Sequence, residues 1–231
     1  MPRRSFFHDY LQAGIIAIII ALFVRTYLVQ AFQIPSPSMQ NSLLVGDHVL
    51  VNKFIFGPLM NPAGKDLLPV SQVKRGDVVV FKFPQAPEKD YVKRVIGEPG
   101  DTVKIEKGAV FIKRLEDKDF IQLDEPYRLQ PPDPEGTPDP EQLNNRPPLV
   151  IPSNAFYVLG DNRDDSRDSR DWGCVPSELI RGKVLLVYWS VDPLPPLSES
   201  SPPAGPFAAF WQSAAAAFTR TRWDRTFHVI R

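Results

Sequence analysis

Residues 75–101 read RGDVVVFKFPQAPEKDYVKRVIGEPGD. The stretch holds two short apolar runs, Val78–Phe83 and Tyr91–Ile96. Arg75-Gly76-Asp77 opens the first and Pro84 closes it; Gly97 to Asp101 closes the second. Short runs of β-branched and aromatic residues between Gly, Pro and Asp read as strands. The same pattern recurs outward in both directions. His48–Phe54 follows the turn Val45-Gly46-Asp47, and Phe156–Leu159 and Lys183–Trp189 are further runs. Thr102–Glu106 and Ala109–Lys113 are separated by Lys107-Gly108, which is hairpin spacing. Residues 57–69 read as loop. No βαβ rhythm, P-loop or GxGxxG is present, so the expected fold is mainly β.

Composition supports this. There are 25 prolines among 231 residues, against an average near 5%, and proline blocks helix interiors. The length suits one core with a small satellite. Lys plus Arg and Asp plus Glu are each 27, so charge gives no case for nucleic-acid binding. A single cysteine, Cys174, excludes an intrachain disulfide and a Cys-rich zinc site. The three histidines are scattered, and no metal site or cofactor is expected.

Ala13–Val24 (AGIIAIIIALFV) is wholly apolar but too short to span a bilayer. Extended over 10–32, with Arg25 snorkelling, it reaches spanning length, and Tyr10, Tyr27 and Phe32 sit where rings favour the interface. A cleaved signal peptide and an interfacial helix are the competing readings. The first lacks a good cleavage site, since Val29-Gln30-Ala31 places Val at its first small-residue position, and the second lacks a polar face. A retained anchor over 10–32 is therefore expected. Arg3 and Arg4 put residues 1–9 in the cytoplasm.

Residues 126–152 carry nine prolines and residues 193–206 carry six. The first region reads as loop or as part of a small insertion over 115–150, the second as a linker. The linker and an Ala-rich short helix occupy 193–218. The tail 219–231 has partial strand-like alternation. The remaining segments, 33–114 and 151–192, form the main domain in two parts.

Four stretches could carry chemistry: Ile34–Met39 (IPSPSM), Val45–Asp47 (VGD), 90–101 and Gly160–Pro176 (GDNRDDSRDSRDWGCVP). A serine nucleophile needs a base. No histidine has an orienting carboxylate in a motif. A buried lysine can serve, because burial lowers an amine's pKa. Lys93 shares a strand face with Tyr91 and Val95 and fits that role. On residues alone the bland alternative stands beside it: Lys93 and Arg94 decorate a half-exposed strand, and Ser36 and Ser38 sit in a Pro-rich turn. Gly160–Pro176 reads as a solvated charged loop or as an internal Asp–Arg network. Arg163, Arg167 and Arg170 argue against a cation site at Asp161, Asp164 and Asp168.

Together, in this order behind an apolar N-terminal segment, the four stretches resemble bacterial type I signal peptidases, the Ser-Lys endopeptidases of family S26. The resemblance covers about residues 10–114 and 151–190. It is thin over 115–150 and 191–218, and the tail 221–229 is similar to the family's closing strand. It implies a transmembrane helix followed by a β-rich signal-peptidase/LexA-like catalytic domain with a small insertion. It implies Ser38 as nucleophile and Lys93 as general base. The oxyanion hole falls to the Ser38 backbone N–H and the Ser36 hydroxyl. Ser166 orients the base by a hydrogen bond to Lys93. Asp161, Arg163, Asp168 and Arg170 support the loop as ion-paired residues, and Ile34 and Val92 line the small-residue substrate pocket. The implied substrates are preproteins with Ala-x-Ala-type signal peptides. The implied place is the bacterial cytoplasmic membrane, single-pass in the lipid bilayer, with the catalytic domain on the extracytoplasmic face. This sequence departs from the family's pattern at Pro37, often Gly, at Asn41-Ser42, where Pro-Thr or a similar pair is usual, and at Asp165, often Asn.

Three other readings fit less well. A non-catalytic anchored β protein gives no reason for Ser38, Lys93 and Ser166 to stand inside matching motifs. A penicillin-binding enzyme needs Ser-x-x-Lys, and Ser38–Asn41 lacks the lysine. A LexA-like repressor needs a DNA-binding N-terminus.

Overall fold

The computed structural model describes residues 6–53, 73–130, 145–192 and 218–230. The expected loop at 57–69 and nearly all of the expected linker and Ala-rich helix lie outside them. An 18-residue helix, α1 (Phe6–Phe23), leads through a more widely wound turn, Val24–Leu28, into β1 (Val29–Gln33). The chain continues through β2 (Asp47–Asn52), β3 (Val78–Phe83), β4 (Ala86–Gly97), β5 (Thr102–Glu106), β6 (Ala109–Lys113) and β7 (Ile121–Gln122). Then come β8 (Arg146–Val150), β9 (Ala155–Leu159), the short α2 (Ser169–Trp172), β10 (Val175–Pro176), β11 (Ile180–Ser190) and β12 (His228–Val229).

These strands make two antiparallel sheets. The larger has the order β1-β2-β11-β3-β4-β9-β10, with β12 also on β11; the smaller has the order β7-β6-β5-β8. The strands read from sequence are all present, with β4 starting earlier than its apolar run. The turn at Lys107-Gly108 has φ of 49° and 74°, the left-handed pair that a tight hairpin requires.

Alternation along β3 explains the layering. Val78 and Val80 face one core, with Ile34, Met39, Leu43, Val49, Val51, Val184 and Val187. Val79 and Phe81 face another, with Val95, Phe156, Val158 and Val175. A central strand covered on both faces reads as a continuous apolar run, which is what VVVF is. The third core joins the second sheet to the first through Ile96, Leu159, Val103 and Ile112. Gly97 stands where they meet: a Cβ there would lie 2.3 Å from Ile151 Cδ1.

Three sequence expectations change. First, Val29–Phe32, placed within the 10–32 anchor, forms with Gln33 a strand fully paired with β2. β-branched and aromatic Val29 and Phe32 suit an edge strand as well as an apolar helix. Among the described residues no helix is long and apolar enough to cross a membrane by itself. Second, the β5–β6 hairpin, grouped with the first part of the main domain, is the centre of the second sheet. Third, Arg146–Val150, in the stretch read as loop or as part of a small insertion, is strand β8. Among the described residues it pairs only with β5, and the register slips between Val103 and Ile105 opposite Pro147 and Pro148. An edge position with a ladder lapse tolerates residues that have no N–H to donate. The tail pairs through β12 with β11, and Ile230 packs in the first core.

Candidate active site

Ser38 lies in a single 3₁₀ turn, Pro37–Met39, after extended Ser36. Pro37 opens that turn, where its fixed φ suits the geometry and no N–H is needed. The departure at Pro37 is therefore accommodated. Met39 is buried in the first core and pins the turn from below.

Lys93 projects from β4, opposite Val79 of β3. Its Nζ is 2.5 Å from Ser38 Oγ, and both residues are buried. Burial pushes the Lys93 amine down to about 8, with Asp168 and Asp161 partly opposing the shift by their charge. Ser36 Oγ stands 3.3 Å from Ser38 Oγ. This arrangement can activate a hydroxyl: an amine close to neutral at mildly alkaline pH sits within proton-transfer distance of it.

The Gly160–Pro176 loop packs against the pair. Asp168 is wholly buried and gathers the loop around one carboxylate. It accepts from the Ser166 hydroxyl at 2.8 Å, from Gly160 N–H at 3.1 Å and from Arg170 Nε at 2.9 Å. Ser166 thus donates to Asp168, and among the described residues no hydrogen bond joins it to Lys93. A Cβ on Gly160 would lie 2.2 Å from Ser166 Oγ and 2.5 Å from the Ser38 carbonyl oxygen, so only glycine fits there. Asn162 N–H donates to that same carbonyl at 3.1 Å.

Asp161 and Arg163 are ion-paired, each to a distant partner. Arg94 grips Asp161 with Nε at 2.9 Å and Nη2 at 2.8 Å, and its guanidinium stacks on Tyr127 with 4.1 Å to the ring centroid. Arg163 pairs with Glu125 through both terminal nitrogens. The internal Asp–Arg reading of this loop fits, extended to partners outside it. Ile34 is buried in the first core, and half-buried Val92 packs against it.

A further buried carboxylate, Asp47, anchors the far end of the segment that carries Ser38. It accepts from Ser190 Oγ at 2.6 Å, Arg225 Nη2 at 2.7 Å and Leu44 N–H at 2.8 Å. Burial raises its carboxyl's pKa, but the Arg225, Ser190 and Leu44 hydrogen bonds outweigh this and hold it below the usual range. Arg225 also reaches the Ser42 carbonyl at 2.9 Å.

Sequence reasoning passed over Arg94, Asp47, Tyr127, Glu125 and Gln130 as site residues. Arg94 carried a weak signal as a second cation beside Lys93, and Asp47 was visible only as part of a turn. Residues 125–130 carried none. Cys174 is half-buried and its thiol is pushed up by burial, the opposite of an activated nucleophile. Among the described residues no cluster of three His, Cys, Asp or Glu could hold a metal.

The family model for signal peptidase, peptidase S26, matches residues 7–189. A signal peptidase I of Pseudomonas aeruginosa is 34% identical over 215 residues, covering 79% of this chain and 72% of that protein. One of Aquifex aeolicus is 33% identical over 218 residues, covering 75% and 80%. One of Leptolyngbya laminosa is 33% identical over 195 residues, covering 81% of each. The matched span contains Ser38, Lys93 and the whole Gly160–Pro176 loop, and the chain belongs to the S26 signal peptidase family, a serine endopeptidase of the signal peptidase I type.

Proposed function

We propose that Ser38 and Lys93 are the catalytic pair with which this peptidase removes N-terminal signal peptides from exported preproteins. The observation that carries the assignment is the buried 2.5 Å contact between Lys93 Nζ and Ser38 Oγ. Neutral Lys93 takes the Ser38 proton as Oγ attacks the scissile carbonyl. It then gives that proton to the leaving amine as the C–N bond breaks, so the mature protein departs and the signal peptide remains as the acyl-enzyme. The developing oxyanion rests against the Ser38 N–H, with the Ser36 hydroxyl as second donor. Lys93 then activates the deacylating water.

Ser166 orients the base. Its proton is committed to Asp168, and its lone pairs are left to accept from the Lys93 amine. Asp161, Arg163, Asp168 and Arg170 hold the loop that carries it. Ile34 and Val92 border the pocket for the small residues of an Ala-x-Ala signal. No cofactor or metal is required by this chemistry.

The apolar N-terminal segment fits a single-pass anchor in the bacterial cytoplasmic membrane, with the N-terminus cytoplasmic and the catalytic domain outside. Supporting this, Ile15, Ile16, Ile18, Ile19, Ile20, Leu22 and Phe23 of α1 are all exposed, an apolar surface that calls for lipid around it. Lys53 Nζ caps the Thr26 carbonyl at 2.9 Å where helix gives way to sheet. Signal peptides held in the same bilayer would meet the site at high effective concentration.

The test is cleavage of a membrane-embedded preprotein added in trans. Wild type is expected to cut after the Ala-x-Ala signal. Ser38→Ala and Lys93→Met are expected to fold, by circular dichroism, without cutting. Turnover by folded Ser38→Ala would overturn the assignment. Digestion of the large domain from the cytoplasmic side of sealed vesicles would overturn the topology.

A further inference from the structure

The oxyanion donor assigned above is one face of a peptide group whose other face, the Pro37 carbonyl, accepts from Gln40 N–H at 2.8 Å within the turn and from Asn162 across it. The Ser38 N–H belongs to the same planar unit as the Pro37 carbonyl, so the direction of one fixes the direction of the other. Asn162 Nδ2 donates to the Pro37 carbonyl at 3.3 Å, while its backbone N–H holds the Ser38 carbonyl at 3.1 Å. Asn162 is buried, and an amide side chain can point either end at a carbonyl unless a neighbour decides. The neighbour is Gln130. Its Nε2 donates to Asn162 Oδ1 at 2.7 Å, and its Oε1 accepts from the Arg163 backbone N–H at 3.1 Å.

That last contact sets the polarity of the chain. A backbone N–H can only donate, so the oxygen end of Gln130 must face Arg163 and its nitrogen end must face Asn162. Asn162 must then present Oδ1 to Gln130 and Nδ2 to Pro37. Every link runs in one direction, from Arg163 N–H to the peptide that carries the Ser38 N–H. We infer that Gln130 is a positioning residue for the reaction, acting through Asn162 to aim the oxyanion donor at Ser38. The surrounding arm supports it. Leu129 N–H donates to the Asp161 carbonyl at 2.9 Å, and Asn41 Nδ2 reaches the Tyr127 carbonyl at 2.9 Å. Asn41 holds φ of 94°, left-handed backbone that asparagine tolerates and proline cannot reach. The departure from the family's pattern at Asn41 is thus tied to the same arm.

The inference rests on the assignment of Ser38 as nucleophile, and the experiment separates the two. Gln130 is half-buried at the margin of the site, so its variants should fold. Gln130→Glu keeps the acceptor for Arg163 but loses the donor to Asn162, which frees the Asn162 amide to flip away from Pro37. In detergent-solubilised full-length protein, Gln130→Glu and Gln130→Ala are each expected to lower kcat about tenfold with KM changed less than about twofold. Gln130→Glu placed on Asn162→Ala should cost little beyond Asn162→Ala alone. Thermal melting should show both Gln130 variants folded as wild type. A wild-type kcat in Gln130→Glu, a loss carried by KM, or full additivity in the cycle would each overturn the inference.

Hydrogen exchange of the segment Ser36–Leu43 reads the same tether without turnover. Gln130→Glu should exchange faster there than wild type. If wild type cleaves nothing, the functional reading fails, and this exchange decides the positioning role alone. Unchanged exchange would overturn it.

Discussion

Lys93 and Lys183 flank the same residue. Val79 of β3 pairs with Lys93 on β4 and with Lys183 on β11. Both lysines therefore lie on one face of one sheet, each a strand away from its centre. Lys183 is partly exposed and donates to Asp77 Oδ1 at 2.5 Å, an ion pair at the rim of the sheet. Lys93 is buried, and the group in contact with its amine is a serine hydroxyl. Pattern along the strand does not separate them, since both are single lysines beside valine in apolar runs. What separates them is what packs above: the turn carrying Ser38 and the Gly160 loop close over Lys93, whereas Lys183 is left with a carboxylate and solvent. Lys183 meets a carboxylate at the rim, whereas burial against a hydroxyl lowers the pKa of the Lys93 amine.

The largest effect that could break this contrast is on turnover. Lys93→Arg should lower kcat/KM by about 10³-fold or more, because a guanidinium does not shed its proton in a protein. Lys183→Arg should keep activity within a few-fold. Equal losses from the two would remove the distinction. In wild type, kcat/KM should rise with pH as Lys93 deprotonates near about 8, then level off. The profile for Lys183→Arg should be the same.

Stability separates the lysines by sign. The Lys93 amine binds its proton less tightly folded than unfolded, so below about 8 its burial costs stability, and stability rises as pH climbs from there toward the free value. Lys93→Met should therefore stabilise the fold at pH 7, by roughly 1–3 kcal/mol in denaturant melts. That gain should shrink progressively from about pH 8 up to the free lysine value of about 10.4. Lys183→Met should destabilise by about 1 kcal/mol, since Asp77 would lose its cation in a partly exposed setting. A stabilising Lys183→Met or a destabilising Lys93→Met at neutral pH would contradict the reading. Smallest of all, Cys174→Ser should leave turnover near wild type and cost about 1 kcal/mol of packing. Loss of cleavage in folded Cys174→Ser would reopen the choice of nucleophile.

Two of the buried aspartates, Asp168 and Asp47, show how much of the site was legible. Asp168 takes Ser166, Gly160 and Arg170, all within eight residues of it, and the GDNRDDSRDSR pattern announced such a network. Asp47 takes Ser190 and Arg225, separated from it by 143 and 178 residues, and nothing in Val45-Gly46-Asp47 foretold them. Arg94, Glu125 and Gln130 fall in the second class. So does β8 of the second sheet, where Pro147 and Pro148 leave no strand pattern to read. Hydrophobic period and turn chemistry are local and survive in the one-dimensional string. A hydrogen bond between segments far apart leaves no period to read.

By itself the sequence determined the β-rich class, the strands β2, β3, β4, β5, β6, β9 and β11, and, through family resemblance, the returning tail and the pairing of Ser38 with Lys93. Those features follow from side-chain alternation, from Gly and Pro at turns, and from short motifs whose residues act together. Tertiary structure alone decided that Lys93 is the buried lysine and Lys183 the ion-paired one. It also decided that Val29–Gln33 leaves the apolar helix for the sheet, and that an arm of the Pro-rich insertion reaches the peptide carrying the Ser38 N–H. The physical reason is the same in each case. Burial, and the dielectric and hydrogen-bond partners that come with it, belong to the packed assembly of distant segments and not to any one of them.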